Sequence, residues 1–433
     1  MGKPRVLVVG TGFAGYHALR TLERVVPPDA VDLVAVNPAD YLLYVPLLPE
    51  VAGGVLDPRR VAVPLRPKLP RTRLVQAHAT GIDLEARTLS AVDVEGREQE
   101  LAWDRVLITC GSVTRLMSVP GVAEHAHGFK SVAEAVYLRD HVLRQVELAE
   151  LADDPVERRS RATFVVVGAG YTGTELVAQG VQLTREALRH RSGLSPDEVR
   201  WVLVDTASRV LPGLNERLSG PAERVLRSRG VDVRLRTSVA SVSATCATLT
   251  DGGEIPTRTV VWCVGVRPDP LVESVDVRTL KGRVVVGQGL AVPGHPDVFA
   301  AGDVAAVPDV YNGGAPTPMT AQHAQRQGKL AGANLAASLG FGPARPYRHR
   351  DLGFVVDLGG GQAVADPLHV PLSGWPAKVV ARGYHLLAMP GNRLRVATDW
   401  ATDVLARRQV VRFGLVPEAG VRLSDADPPA RRA

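Results

Sequence analysis

The chain carries one local pattern twice, and that repetition restricts its fold more than any other feature. Val6-Leu7-Val8-Val9 is a short apolar run that ends in Gly10-Thr11-Gly12-Phe13-Ala14-Gly15, and Tyr16 to Val26 has helical character. Thr163-Phe164-Val165-Val166-Val167 ends in the same way, in Gly168-Ala169-Gly170-Tyr171-Thr172-Gly173, with a helix expected from Thr174 to about His190. A buried strand, a turn with glycine at its first, third and sixth positions, and then a helix bring a backbone against a pyrophosphate at a helix N-terminus. The first glycine allows the tight turn, the second the close approach, and the third the packing of helix on strand. Two copies predict two dinucleotide-binding units in one chain, and hence an enzyme that passes electrons between cofactors.

The end of the second strand in each unit adds detail. Val31-Asp32-Leu33-Val34-Ala35-Val36 ends at Asn37, which can hydrogen-bond to a ribose but lacks the charge of the usual acid. Trp201-Val202-Leu203-Val204 ends at Asp205, 32 residues past Gly173 rather than the usual spacing of about 20. A long helix followed by the polar loop Arg191 to Pro196 accounts for the excess. The Asp205 carboxylate suits a ribose hydroxyl and repels a 2′-phosphate, so NADH is favoured over NADPH; Arg209, four residues on, pulls the other way.

Composition removes several other classes of function. With 433 residues, 45% hydrophobic and 22% charged, the chain has room for two or three domains with real cores. Its net charge is +6, but only six of the 51 basic residues are lysine, a compositional bias rather than a nucleic-acid footprint. Cys110, Cys246 and Cys263 form no CxxC or CxxxxC pair and have no histidine at ligand spacing, which argues against a disulfide framework, a metal site and a redox dithiol. The longest apolar runs, such as Val260 to Val266, are strand-sized, well short of the roughly 18 residues of a membrane-spanning helix. Met1 to Arg5 leads directly into the first strand, so no secretory leader is expected.

The run Val298-Phe299-Ala300-Ala301-Gly302-Asp303-Val304-Ala305 resembles the segment of two-dinucleotide-domain flavoproteins in which a strand delivers an aspartate to the flavin. Val106 to Gly111 and Val260 to Pro268 resemble the crossover segments of that superfamily. Three further stretches resemble the type II NADH dehydrogenases, single-subunit NADH:quinone oxidoreductases. They are Tyr41 to Ala52, Pro318 to Gly328 and Asp357 to Asp366, the last followed by Trp375, His385, Asn392-Arg393 and Asp399-Trp400. The resemblance implies FAD contacts at Gly10, Gly12, Phe13, Ala14, Gly15, Asn37, Pro46, Thr109, Gly111, Gly265, Gly302 and Asp303. It implies NADH contacts at Gly168, Gly170, Tyr171, Thr172, Gly173 and Asp205. It also implies a proton-handling role for Glu175, and quinone contacts at Gln322 and at Arg326, which stands where the family has a second glutamine. A bland reading accompanies each: a carboxylate in a first helical turn is favoured by the helix dipole, and Gln322 and His323 can simply cap or line a helix start. Cys110 and Cys263 fall in the crossovers as packing residues, and the lack of a cysteine pair sets the chain apart from sulfide:quinone reductases.

Near the C-terminus Ala397, Trp400, Ala401, Val404 and Leu405 recur at helical spacing. Between Gly374 and Leu415 seven basic residues, Lys378, Arg382, Arg393, Arg395, Arg407, Arg408 and Arg412, stand against Asp399 and Asp403. Such a stretch suits an anionic membrane surface, and equally the protein's own core or a second subunit. The tail from Arg422 to Ala433 has the composition of a disordered end.

The expected architecture is α/β: two Rossmann-like FAD/NAD(P)-binding domains, the NAD domain inserted in the FAD domain, plus a C-terminal α+β membrane-association or interface region. The boundaries expected are 1–115 and 283–345 for FAD, 116–282 for NAD(P)H and 346–433 for the C-terminal region. The expected activity is FAD-dependent transfer from NADH to a membrane quinone without proton pumping, in a protein held peripherally on the inner, cytoplasmic face of the cell membrane. A homodimer, a membrane quinone pool and an anionic membrane surface are the expected partners, with no nucleic acid. The alternatives are a soluble NAD(P)H-dependent flavin oxidoreductase with another acceptor, and an NADH-sensing flavoprotein without turnover.

Overall fold

A computed structural model describes residues 2–189 and 191–423. Packing divides the chain into two compact units: Met1–Leu43, Pro64–Val113 and Arg267–Asp351 form the first, and Tyr44–Val63, Thr114–Val266 and Leu352–Ala433 the second. Against the expected boundaries, 44–63, 114–115 and 352–433 join the second unit, and 267–282 and 346–351 join the first.

The first unit is organised by an eight-stranded sheet. Its central strand, Arg5–Val9, pairs in parallel with Asp32–Asn37 on one side and Arg105–Ile108 on the other, in the registers Val9 to Val36 and Val9 to Ile108. The β-branched residues Val6, Val8 and Val9 and their neighbour Leu7 are buried on both faces, as a central parallel strand requires. His295–Ala300 extends the sheet beside Arg105–Ile108 and leads directly to Asp303. The helices Phe13–Val25 and Ala321–Ser338 cross at Ala14 and Gly328, where a Cβ on Gly328 would lie 2.1 Å from the Ala14 carbonyl oxygen. No larger residue permits that approach.

The second unit repeats the design on a five-stranded parallel sheet. Thr163–Val167 lies between Arg200–Asp205 and Thr259–Trp262, in the registers Val167 to Val204 and Val167 to Trp262. The helix after the glycine turn runs Tyr171–Leu188, starting three residues before the expected Thr174. A three-stranded antiparallel sheet, Val355–Asp357, Ala363–Ala365 and Leu372–Ser373, precedes the helices Trp375–Ala388 and Arg393–Leu405. Asn392, in the left-handed region between those helices, donates to the carbonyls of Arg60 at 3.0 Å and Ala62 at 2.9 Å.

The last helix departs from the expected apolar stripe. Val396 and Trp400 face inward, Trp400 only 3% exposed, whereas Ala401, Val404 and Leu405 lie in solvent. Inward packing ends at Trp400, and the final turn continues beyond the packed surface. Arg422 and Leu423 also differ from an irregular tail: Arg422 bridges to His127 and Leu423 is fully buried in the core beside Val165 and Val202. Residues 424–433 lie outside the described residues. Among the described residues no helix is long and apolar enough to cross a membrane.

Candidate functional site

In the first unit the glycine turn is held as tightly as its sequence implies. Gly10 has φ +87°, and a Cβ on Gly15 would meet the Gly10 carbonyl oxygen at 1.9 Å, so both positions exclude a side chain. Thr109 secures the turn from the neighbouring strand, its hydroxyl donating to the carbonyls of Val9 at 2.9 Å and Gly10 at 2.8 Å. Asn37 accepts from the Thr11 amide at 2.9 Å and donates to the Ala39 carbonyl at 2.7 Å, so it orders the turn itself.

These residues fit a flavin dinucleotide. The helix Phe13–Val25 starts at Gly12 with no side-chain cap and no acid in its first turn, so the positive end of its dipole favours an anion. A Cβ on Gly12 would meet nothing within 4 Å, and the buried Thr11 hydroxyl has no partner among the described residues. Asp303, one residue past Gly302, is oriented by the Ser112 hydroxyl, which donates to it at 2.6 Å. Ala14 is buried under the turn and Phe13 is half-buried at the helix start. Gly111 follows the Arg105–Ile108 strand by three residues.

The same unit gathers the expected quinone-side residues at the start of the helix Ala321–Ser338. Its cap is Thr320, whose hydroxyl accepts from the His323 amide, so neither Gln322 nor His323 serves as the cap. Gln322 is buried, with Oε1 2.7 Å from His349 Nε2. His323 Nδ1 is 2.8 Å from the Tyr347 hydroxyl. Arg326 turns back along its own helix and donates to the Gln322 carbonyl at 3.1 Å. Gln327 is fully employed, accepting from the Gly302 amide at 2.8 Å and donating to the Thr317 hydroxyl at 2.9 Å. Burial, then the Arg326 charge, brings the His349 pKa down to about 4, so its ring is neutral at pH 7. Tyr347 and His349 were missed from sequence because no motif marks them; they reach the helix from an irregular segment.

In the second unit Gly168 has φ +107°, and a Cβ on Gly173 would lie 1.9 Å from the Gly168 carbonyl oxygen. The helix Tyr171–Leu188 again starts without a side-chain cap or a first-turn acid, and Gly170 again faces open space. The site therefore fits a second dinucleotide. Asp205 accepts from the amides of Ala169 at 2.5 Å and Ala207 at 2.7 Å, so it braces the turn as Asn37 does in the first unit. Tyr171 stacks on Phe354 with ring centroids 5.4 Å apart, and Thr172 is exposed. Pro46 sits in a short 3-10 turn, Val45–Leu47, and Gly265 follows the Thr259–Trp262 strand.

Glu175 is the fifth residue of its helix, past the first turn, so the dipole explanation fails. Its carboxylate accepts from the Asp357 amide at 2.8 Å. Asp357 in turn is ion-paired and hydrogen-bonded to Lys378, both side chains 9% exposed. Glu50, 2% exposed, accepts from the Trp400 indole, over which the Arg382 guanidinium lies at 5.0 Å. Burial, then the neighbouring Asp357 and Glu50, hold Glu175 well above the usual carboxylate range, opposed by the Asp357 amide and Lys378. Burial first, then Asp357, push Glu50 up to about 7. Of this cluster the sequence assigns a proton-handling role to Glu175 alone. The members come from distant segments, Glu50 and Trp400 being 350 residues apart.

The cysteine thiols stay protonated: burial pushes Cys263 up to about 12 and Cys110 well above its usual value. All three cysteines are free.

Comparison with known proteins gives a family match to pyridine nucleotide-disulphide oxidoreductases over residues 4–328. The chain is 31% identical over 426 residues to the type II NADH:quinone oxidoreductase NdhA of Mycobacterium tuberculosis, covering 93% of this chain and 87% of that one. It is 26% identical to the type II NADH:quinone oxidoreductase of Staphylococcus aureus, covering 86% and 92%. The solved structure of Plasmodium falciparum NDH2 in complex with NADH has the same fold, with TM-score 0.86 at 16% identity, covering 94% of this chain and all of that one.

Proposed function

We infer the reaction from the family to which this chain belongs, the pyridine nucleotide-disulphide oxidoreductases and, within them, the type II NADH:quinone oxidoreductases: it is an FAD-dependent dehydrogenase that oxidises NADH and reduces a quinone without proton pumping. The observation that carries this reading is the pair of uncapped, glycine-turned helix starts, one in each unit, with Asp303 oriented by Ser112 in the first unit. Bound FAD supplies a two-electron relay, taking a hydride from the nicotinamide and giving two electrons to the quinone.

The chain's own residues bind, orient and manage protons. The amides at Gly12, Phe13 and Ala14, with Gly10 and Gly15, hold the FAD pyrophosphate, and Asp303 holds the ribityl chain. Thr109 and Asn37 keep that turn in shape, and Gly111 and Gly302 lie in the same unit as that turn, while Pro46 and Gly265 are flavin contacts only as the resemblance implies. Gly168, Gly170, Tyr171, Thr172 and Gly173 hold NADH, with Asp205 disfavouring a 2′-phosphate. Glu175, whose carboxyl burial holds well above the usual carboxylate range, is the proton-handling group. Gln322 and Arg326 meet the quinone oxygens.

The second unit also carries the features of a peripheral membrane protein. Trp375, Leu394 and Leu405 are 72%, 83% and 86% exposed, and Val379, Leu387 and Val404 are exposed on the same two helices, among Arg393, Arg395 and Arg407. This supports attachment to an anionic bilayer on the inner face of the cell membrane, where a quinone pool resides. Arg408 and Lys378, counted in the basic stretch, are instead engaged with Asp403 and Asp357.

The test is anaerobic stopped-flow on flavin-loaded protein: reduction with NADH, then mixing with a soluble quinone analogue. Reoxidation by quinone much faster than by oxygen, and slowed by Gln322→Ala, is the expected result. Flavin that NADH reduces and quinone leaves reduced would assign the chain to a soluble acceptor, with Arg326 the residue that closes the quinone site.

A further inference from the structure

Reduction of a quinone by NADH consumes a proton: NADH + H⁺ + quinone gives NAD⁺ + quinol. The hydride supplies two electrons and one hydrogen, and the second hydrogen of the quinol comes from water as a proton. A protein that buries its acid groups needs a path for it.

The second unit contains such a path in outline. A cavity of about 600 Å³ lies between the helices Leu48–Ala52, Tyr171–Leu188 and Trp375–Ala388 and the turn Gly359 to Gly361. Exposed Arg185, Arg189 and Arg407 stand at its solvent side, and Glu50 and Lys378, both buried, form part of its inner wall. Gln179, 1% exposed, lines it too, and its Oε1 has no hydrogen-bond partner among the described residues, a polar surface suited to water. From Lys378 the connection continues through the Asp357 ion pair to Glu175, which accepts from the Asp357 amide.

We propose that Glu50 is the proton-entry group of this unit, taking protons from water in the cavity and passing them to the Lys378–Asp357–Glu175 cluster. The inference deepens the reading above and rests on Glu175 handling protons there. Glu50 acts through that cluster and touches neither substrate, so it is a positioning residue for the proton rather than a catalytic one. Groups from four elements act on it or on its neighbour: Asp357 from the antiparallel sheet, Lys378 and Arg382 from the helix Trp375–Ala388, the Trp400 indole from the last helix, and Glu175 from the helix Tyr171–Leu188, which Glu50 itself influences. Asp403, Glu186 and Arg408 line the same cavity. Asp357 raises its proton affinity while Lys378, the Trp400 hydrogen bond and Arg382 lower it, and with burial dominant the balance falls at about 7. Both protonation states are then populated at neutral pH, as a relay requires.

The competing reading is that Glu50 merely anchors Trp400. Glu50→Gln separates the two, because the amide oxygen still accepts from the indole but the group no longer titrates. On flavin-loaded holoenzyme the quinone-dependent reoxidation rate is measured from pH 5.5 to 8.5 beside the NADH-dependent reduction rate. The expected result is loss of an ionisation near pH 7 from the reoxidation profile of Glu50→Gln, with a rate at least tenfold lower, unchanged reduction by NADH, and partial recovery in Glu50→Asp. Trp400→Phe removes the donor that favours the carboxylate and should move the same ionisation to higher pH. Infrared pH-difference spectra give a readout independent of turnover: a protonated-carboxyl band that titrates near pH 7 in the parent and is missing in Glu50→Gln. A parent-like profile in Glu50→Gln, or a pH-independent loss of rate with the ionisation retained, overturns the proposal. If Glu50→Gln does not fold, an unshifted ionisation in Trp400→Phe overturns it. A parent protein that quinone does not reoxidise defeats the quinone reading instead, and the infrared band then decides for Glu50 alone.

Discussion

Gln322 Oε1 lies 2.7 Å from Nε2 of His349. The contact fixes the orientation of a side chain assigned to the quinone, and it does so through a ring that is neutral at pH 7 because burial and Arg326 hold its pKa near 4. His349→Ala releases the amide. Loss of one such hydrogen bond costs about 1 kcal/mol, so quinone-dependent reoxidation should slow about fivefold, with NADH-dependent reduction unchanged. Stopped-flow absorbance of the two half-reactions checks this.

Asp303 is held in place by Ser112 at 2.6 Å. A carboxylate that accepts from a ribityl hydroxyl contributes about 1.5–3 kcal/mol. Asp303→Ala should therefore weaken FAD about tenfold to a hundredfold, and Asp303→Asn less. Flavin fluorescence titration of the apoprotein measures it.

A Cβ on Gly173 would come within 1.9 Å of a backbone oxygen, which no side-chain rotation relieves. Gly173→Ala should lower the melting temperature, by an overpacking cost of about 1–3 kcal/mol, and abolish bleaching by NADH. Flavin content should be retained, because the flavin turn belongs to the other unit. Absorbance spectra before and after NADH test both parts.

Glu50 also predicts a pH dependence of stability. Its folded pKa of about 7 lies above the ordinary glutamate value of 4.5. Between these values the folded chain keeps a proton that the unfolded chain releases, so the contribution is intact below pH 4.5 and is lost as pH rises towards and through 7. The loss amounts to at most about 3 kcal/mol. Glu50→Gln should flatten that decline, gaining melting temperature relative to the parent at pH 8 but not at pH 4.5, as calorimetry at the two pH values would show.

The exposed leucines of the last helix predict where a bilayer docks. Burying a leucine contributes about 1.5–3 kcal/mol. Leu394→Glu combined with Leu405→Glu should lower co-sedimentation with anionic vesicles at least tenfold while leaving NADH-dependent flavin bleaching intact. Binding by the parent should weaken as salt rises.

What the sequence reveals of this molecule is what lies close together along it. Gly10 and Gly15, or Gly168 and Gly173, form one turn each, and the steric demand that makes them glycine acts over five residues. The placement of Asp303 is likewise legible, since its strand and turn are contiguous. Glu50, Asp357, Lys378 and Trp400 follow no such rule. Each enters its own segment only as part of a resemblance, a charge count or an apolar stripe, and acquires its place in the cluster only from neighbours far away in the chain. Trp400 shows the same limit from the other side: helical spacing groups it with Val404, only about 40° around the helix axis, but where packing stops along that axis is decided by other segments.

The order of strands in the first unit has a consequence for synthesis. Arg5–Val9 finds Arg105–Ile108 early, but His295–Ala300, which completes that side of the sheet and carries the chain to Asp303, emerges almost 200 residues later. At translation rates of about 5–20 residues per second the half-built sheet waits for roughly 10–40 s with an open edge. Nascent chains of this protein should therefore depend on chaperone cover until the ribosome has passed residue 300, and flavin capture should be among the last events of its maturation.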